Sequence, residues 1–584
     1  MPQTLEFNSL REEVIGINTV LDTPFGPRLM LYADYTASGR SLKFIEDYLV
    51  KLQALYANTH TEDDTSGRVT TQLLHDAERL IKKAVNAGPK GCVIACGSGA
   101  TAAIDRMQQL VGIKFPSTCQ AQMCELMVRS LGQDRVDSFN SFREEHQPVV
   151  FVGPYEHHSN EVSWREGMAT VVEVDLDESG GVCLDHLELL LQQEKYQGRL
   201  RMGSFSAASN VTGMKTDVAA IAILLHKYQA LAFFDYAASA PYVNIDMNPP
   251  SSGDGDASLD AVFISPHKFL GGPGSSGILV FNSALYQCGL SPSVAGGGTV
   301  DYVGPKSHDF IDDIETRESA GTPAVLQTIK AALVFELKQS IGTEKIQARE
   351  DEILEHVFMR WSKHPNIEIL GNDDPKKRVG IVSLNIKSGE RYLHPRFVTR
   401  LLDDLFGIQS RAGCSCAGPY GHRLLGISEE LAQQYRSLIA DGYQGFKPGW
   451  VRVSFHYIFD DADVEYLISC MEFVAEFGAK FLSLYDFDQQ SGLWVHKEFK
   501  EESACVCLAD ALSGSASGKP SLDVPDSRAE HYLSNLAQAR FLADELADVQ
   551  GVEEEVELEE DDLVRRMRQL QFFEMSCSQP QRYR

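Results

Sequence analysis

From about residue 30 to residue 325 the chain alternates short apolar runs with stretches of helical periodicity, and few folds accommodate that pattern. The runs Cys92–Ala95, Val149–Val152, Thr170–Val174, Arg201–Ser204, Leu231–Phe234, Ala261–Ile264 and Gly277–Phe281 read as strands. Strands separated by helices imply a largely parallel sheet covered on both faces, hence an α/β domain. Many of the runs end in a cluster of Gly, Ser, Asp or His. In open α/β sheets ligands collect at the carboxyl ends of strands, so chemistry is expected at those clusters.

The rest of the chain divides around this unit. Residues 1–29 form an N-terminal segment, 30–325 the large domain, 326–485 a smaller α+β domain, and 486–584 an acidic C-terminal extension. Thr322–Pro323 is expected to open a helix from Ala324 to about Gln339, with Thr322 as cap and Pro323 in the first turn. Residues 512–527 read as a linker. A helix carrying Leu533, Ala537 and Phe541 on one stripe follows, then the acidic run Glu553 to Asp562, the whole expected as a solvated appendage.

With 584 residues, 43% of them hydrophobic, the chain can bury a large core and more than one domain. Its formal charge of −29 repels phosphate backbones, which argues against a nucleic-acid partner. No apolar run is long enough to cross a bilayer. MPQTLEFNSLREEV lacks a charged segment leading into an apolar one, so no secretory leader is expected and the expected location is cytoplasmic. The 12 cysteines suggest no disulfide framework. Cys92, Cys96, Cys119, Cys124, Cys183, Cys288 and Cys470 stand singly, as buried reduced thiols would. Cys414 and Cys416 share a loop rich in Gly and Ser, and Cys505 and Cys507 form a second Cys-x-Cys pair.

Residues 263–281, FISPHKFLGGPGSSGILVF, place Lys268 on a turn between two apolar runs. An amine at the mouth of a sheet is partly desolvated, and its lowered pKa leaves it neutral enough to form a Schiff base. The glycines of 271–277 lack the GK[ST] of a nucleotide-binding loop. Asp235 ends another buried-looking run, where a carboxylate could face a pyridine nitrogen. Cys96-Gly-Ser-Gly-Ala-Thr101 reads as strand, tight turn and helix start, so the N–H groups of Gly99, Ala100 and Thr101 could cradle a phosphate.

These pieces occur in order: Gly99–Thr101, Glu156–His158, Ser209–Gly213, Asp235, Ser265–Lys268, Gly321–Pro323 and Arg411–Cys416, with Ala33–Ser38 ahead of them. The series, over about residues 30–485, resembles the class V aminotransferase family, especially its SUF-type cysteine desulfurases. The resemblance implies a pyridoxal-5′-phosphate (PLP) enzyme of fold type I, the aspartate-aminotransferase-like architecture, working as a homodimer. It also implies roles. His157 would stack on the cofactor ring and Asn210 would bond its phenolic oxygen. Ser265 and His267 would hold the phosphate, joined by Thr322 of the neighbouring subunit. Arg452 would grip the substrate carboxylate. Where many of these enzymes carry a ring-contacting Gln, this chain has Ala238, with Ser239 next as a candidate substitute.

Arg411-Ala-Gly-Cys-Ser-Cys416 decides which reaction to expect. Cys416 occupies the position of the thiolate that takes sulfur from L-cysteine as a persulfide, with alanine released to solution and an acceptor protein downstream. Arg411 would favour that thiolate. Cys414 stands where the family commonly has histidine, and could receive the sulfur, relay it or form a disulfide. The Cys-x-Cys loop followed by Gly-His-Arg-Leu-Leu-Gly also resembles the desulfurase domain of molybdenum cofactor sulfurases. Three alternatives stay open: a metal site of Cys414, Cys416 and His422, another PLP reaction (β-lyase, epimerase or transaminase), and a catalytically idle sulfur-transfer scaffold.

Overall fold

The computed structural model describes residues 6–59, 61, 63–250, 253, 255–499, 527–546 and 562–575. All seven expected strands form: β1 (Gly91–Cys96), β2 (Val149–Val152), β3 (Thr170–Glu173), β4 (Arg201–Ser206), β5 (Leu231–Asp235), β6 (Ala261–Ile264) and β7 (Gly277–Asn282). They make one sheet in the order β1-β7-β6-β5-β4-β2-β3. The pairs from β6 to β3 are parallel, while β7 runs antiparallel to both β6 and β1. Alternate residues enter two separate cores, Phe151 and Phe234 on one face and Val152 and Phe233 on the other. That two-sided burial is why the strands read as continuous apolar runs.

β7 returns beside β6 after a link containing only a short turn, too brief for the helical crossover that a parallel pair needs. Its amino end therefore lies among the carboxyl ends of β1, β4, β5 and β6. Helix α1 (Thr65–Ala84) packs on the sheet's flank, and α2 (Gly99–Leu110) follows β1 directly. An inserted pair, α3 (Ser117–Leu131) and α4 (Gln133–His146), stands off the body with only Val136 buried.

Helix α5 runs from Val325 to Ile341, but Thr322 does not cap it. Ala324 is the cap residue, and the Thr322 hydroxyl instead donates to Asn58 Oδ1 at 3.2 Å. The second domain is a five-stranded antiparallel sheet, β8 (Ile367–Ile369)-β9 (Ile381–Ser388)-β11 (Trp450–Ser454)-β10 (Arg411–Gly413), with Arg391–Tyr392 pairing on to β9. Helices α6 (Thr343–Trp361), α7 (Pro395–Phe406) and α8 (Asp461–Phe477) pack around it. The N-terminal segment joins this domain: Leu31–Tyr32 pairs in parallel with Ile408–Gln409, so Ala33–Ser38 is led to the seam between the sheets.

The C-terminal residues correct the expectation of a solvated appendage. Helix α9 (Arg528–Glu545) forms, but its predicted stripe faces outward, with Leu533 and Phe541 exposed. The face that docks carries Tyr532, Asn535, Ala539 and Ala543. Tyr532 stacks on Tyr466 of α8 at 3.7 Å and donates to Asp463 Oδ1 at 2.8 Å. Arg11 closes the same buried carboxylate at 2.7 Å. Helix α10 (Asp562–Leu570) buries Met567 and Leu570. The expected linker to residue 526, the acidic run through residue 561 and the Cys505–Cys507 pair lie outside the described residues. The nine described cysteines are all free; Cys92, Cys96 and Cys470 are buried as expected, but Cys119 and Cys288 are exposed. No helix among the described residues is long and apolar enough to cross a membrane.

The docked helix gives a stability prediction. Tyr532→Ala removes a stacked ring and an acceptor's partner, and should cost roughly 3 kcal/mol by denaturant titration. A change within about 0.5 kcal/mol, the size of a surface substitution, would show that α9 contributes nothing to the body.

Candidate active site

The lysine turn follows β6 and is held from outside by the N-terminal segment. The Gly39 N–H donates to His267 O at 2.9 Å, and a Cβ at Gly39 would lie 2.0 Å from Phe269 O, so only glycine lets the two backbones touch. At the neighbouring strand end, Gly99 begins α2 with φ +60°, and a Cβ there would meet Ser265 Oγ at 2.8 Å. That hydroxyl accepts the Ala100 N–H at 2.9 Å. The helix start and the lysine turn are thereby locked together.

Between the two domains these segments enclose a cavity of about 200 Å³. Ala100, Thr101, His157, Asn210, Asp235, Ser265, His267, Lys268, Arg411, Cys416 and Arg452, all anticipated from sequence, line it together. Gly99 lies immediately behind Ser265. Thr322 does not reach the cavity of its own chain and is exposed. Ala238 lines the wall, but Ser239 does not: its hydroxyl is buried and, among the described residues, has no hydrogen-bond partner. Ser239 therefore does not stand in for the missing Gln.

Burial governs the electrostatics. Lys268 is half-buried and lines the cavity, and desolvation brings its amine down from 10.5 to about 8, against the pull of Asp235. No described residue hydrogen-bonds its Nζ. Asp235 is buried, which pushes its carboxyl up; the Ala237 N–H at 2.8 Å and Lys268 hold it toward the carboxylate. Desolvation, reinforced by the Lys268 charge, takes His157 and His267 down to about 4, so both rings are neutral near pH 7.

Glu156 is the positioning group of the His157 loop. It accepts the Ser206 N–H at 2.8 Å, the Ser206 hydroxyl at 2.6 Å and Asn160 Nδ2 at 2.6 Å, tying the loop to the end of β4. Its burial raises its pKa to about 7. Asp34 carries more weight than its place in the Ala33–Ser38 motif suggests. Its Oδ1 accepts from buried Arg452 Nη2 at 3.0 Å, and its Oδ2 lies 3.3 Å from Arg411 Nε. One carboxylate thus orients both arginines at the cavity wall. The motif placed Asp34 in the sequence; only the seam between the domains reveals its partners.

Cys416 sits on a strained turn. Ala417 N–H donates to Cys414 O at 3.1 Å, and both central residues, Ser415 (φ 49°) and Cys416 (φ 57°), are left-handed without being glycine. Each such residue costs on the order of 1–2 kcal/mol and persists only where its surroundings impose it. The surroundings are specific here. Asn210 Nδ2 donates to Ser415 O at 2.6 Å, the His158 N–H donates to Cys416 O at 2.8 Å, and His158 Nε2 accepts the Gly418 N–H at 3.0 Å. The result aims an exposed thiol at the cavity. Among the described residues no group of three or more His, Cys, Asp or Glu side chains is placed to hold a metal ion.

The donor set fits a planar, anionic, carbonyl-bearing cofactor. A desolvated amine with no hydrogen-bond partner among the described residues suits an aldehyde, a buried carboxylate lines the same cavity, and a helix start with serine and threonine hydroxyls suits a phosphate. Comparisons with known proteins agree. The profile of the family described as Aminotransferase class-V matches residues 139–467. A protein named "Probable cysteine desulfurase" from Halalkalibacterium halodurans is 24% identical over 415 residues, 70% of this chain and 89% of that one. Its namesake from Staphylococcus aureus is 25% identical over 416 residues, 70% and 88% of the two chains. Among solved structures, the apo cysteine desulfurase of Thermococcus onnurineus superposes with a TM-score of 0.61 at 20% identity, covering 82% of this chain and all of that one. The cysteine desulfurase CsdA of Escherichia coli gives 0.59 at 19%, covering 81% and 99%. These likenesses show a shared fold, that of the fold type I PLP enzymes.

The depressed lysine sets a pH dependence. Reductive capture of a small aldehyde by Lys268 should rise with pH through about 8, not 10.5, because only the neutral amine reacts. Asp235→Asn removes the charge that supports the ammonium, so the midpoint should move lower still. A midpoint near 10.5, read by peptide mapping of the labelled lysine, would mean that the amine is solvated.

Proposed function

This chain belongs to the aminotransferase class-V family, and from that premise we propose that it removes sulfur from L-cysteine, with PLP on Lys268 and the sulfur left as a persulfide on Cys416. The carrying observation is that the desolvated amine and the exposed thiol open on one small cavity.

PLP bound there supplies an electron sink for the α-carbon of the amino acid. The chain's own residues do the rest. Asp235, at the cavity floor, would face the pyridine nitrogen and favour its protonated form. The neutral His157 ring would cover the flat face of the cofactor, and Asn210, besides tying the cysteine turn, would bond its phenolic oxygen. The helix start Gly99–Thr101, whose Ala100 N–H is held by the Ser265 hydroxyl, would take the phosphate together with Ser265 and His267. Arg452, assisted by Arg411, takes the substrate carboxylate in a bidentate grip, displacing Asp34 from part of its pairing. Lys268, with a pKa of about 8, takes a proton from the α-carbon and returns one at neutral pH. Cys416 delivers its sulfur as nucleophile to the sulfur of the bound L-cysteine, and alanine leaves.

The exposure of Cys416 supports hand-over to a sulfur-acceptor protein. A homodimer is supported by Thr322, which sits on the surface away from its own cavity, where it would serve a second subunit.

The test is a product assay on PLP-loaded protein. L-cysteine should yield alanine and sulfide, and Cys416→Ser should lose at least roughly 100-fold in rate, the scale of a lost nucleophile or proton-transfer group. Lys268→Ala should lack the visible absorbance of the linked cofactor. Pyruvate and ammonia in place of alanine would assign a lyase instead, and an undiminished Cys416→Ser would end the persulfide mechanism.

A further inference from the structure

Cys414 is not part of the cavity. It is half-buried and packs on the core beneath the turn, whereas Cys416, two residues on, is exposed and lines the cavity wall. Two residues of fully extended chain span at most about 7 Å. The turn closed from Ala417 N–H to Cys414 O, with both central residues left-handed, brings the two Cα atoms closer than that. They then fall within the roughly 4.4–6.8 Å over which cysteines can be bridged. The turn thus holds a second thiol behind the nucleophile, screened from substrate, with the two Cα atoms close enough for a bridge.

Resting on the reading of Cys416 as the sulfur-accepting thiol, we propose that Cys414 is a resolving cysteine that clears the Cys416 persulfide when no acceptor takes it. The Cys414 thiolate attacks Cys416 Sγ. The bond between that atom and the terminal sulfur breaks, and its electron pair leaves with the terminal sulfur as hydrosulfide. A Cys414–Cys416 disulfide remains. The terminal sulfur is reduced and the Cys414 thiol is oxidised, so the step uses no outside oxidant. Position selects the inner sulfur as target: the terminal one projects into a cavity that Cys414 does not line. Two equivalents of a low-molecular-weight thiol then return the disulfide to two thiols by exchange. Sulfur release in the absence of an acceptor is thereby limited to one turnover per reduction.

The experiment gives full-length, PLP-loaded protein one equivalent of L-cysteine per site, without other thiols, under anaerobic conditions, followed by acid quench. Alanine, hydrosulfide and the mass of the tryptic peptide 412–423, which contains both cysteines, are measured. Wild type should release alanine and hydrosulfide in equal amounts, with the peptide two hydrogens lighter. Cys414→Ser should release the same alanine, which also shows that it is folded, but no hydrosulfide, and its peptide should be one sulfur atom heavier. A wild-type peptide that keeps the extra sulfur as the variant does would overturn the resolving role. Absence of alanine from both proteins would instead bring down the desulfurase reading, and this inference with it.

Discussion

The desolvation of one amine organises this molecule. The Lys268 amine can be brought down to about 8 only where protein crowds water away from it, and no single element supplies that enclosure. The carboxyl ends of β1, β4, β5 and β6 form the floor, β11 and the cysteine turn form the roof, and the N-terminal segment closes the seam. The penalty on the charged amine is partly offset by Asp235, itself raised by the same burial. Each group makes the other's burial tolerable, and together they leave an amine that can change its proton near physiological pH.

A second balance lies across the cavity. Arg452 is buried deeply enough to suffer in its charged form, and Asp34 relieves it while reaching Arg411. The arginines are therefore oriented before any ligand enters, which reduces the reorganisation needed to grip a carboxylate. The cysteine turn stores a different kind of energy. Two left-handed, non-glycine residues would relax if free, but the Asn210 and His158 hydrogen bonds, with the ring nitrogen of His158 on Gly418, hold them. The same two loops that shape the cofactor wall thus aim the thiol.

The C-terminal helix shows where periodicity misleads. Leu533, Ala537 and Phe541 are the apolar stripe, yet the docked face is built on Tyr532 and Asn535. Packing there is decided by a complementary surface on α8: the Tyr466 ring for stacking and the Asp463 carboxylate, already partnered by Arg11, for the tyrosine hydroxyl. An apolar stripe predicts that some face is buried only when no polar network competes. The misplaced Thr322 cap has a similar cause, since Asn58 offers its hydroxyl a partner outside the helix.

The residues themselves determined the seven strands and the sheet class, because strands buried on both faces must be continuously apolar. They also supplied the candidate site residues, because Lys268, Asp235, the Gly99 turn and the Cys414–Cys416 loop each sit in a recognisable local pattern. Only the tertiary structure decided that Asp34 serves both arginines, that Ser239 does not line the cavity, and that the C-terminal helix docks. Asp34 meets Arg452 across 418 positions and Tyr532 meets Asp463 across 69, and a local pattern carries no information about the surface it will meet.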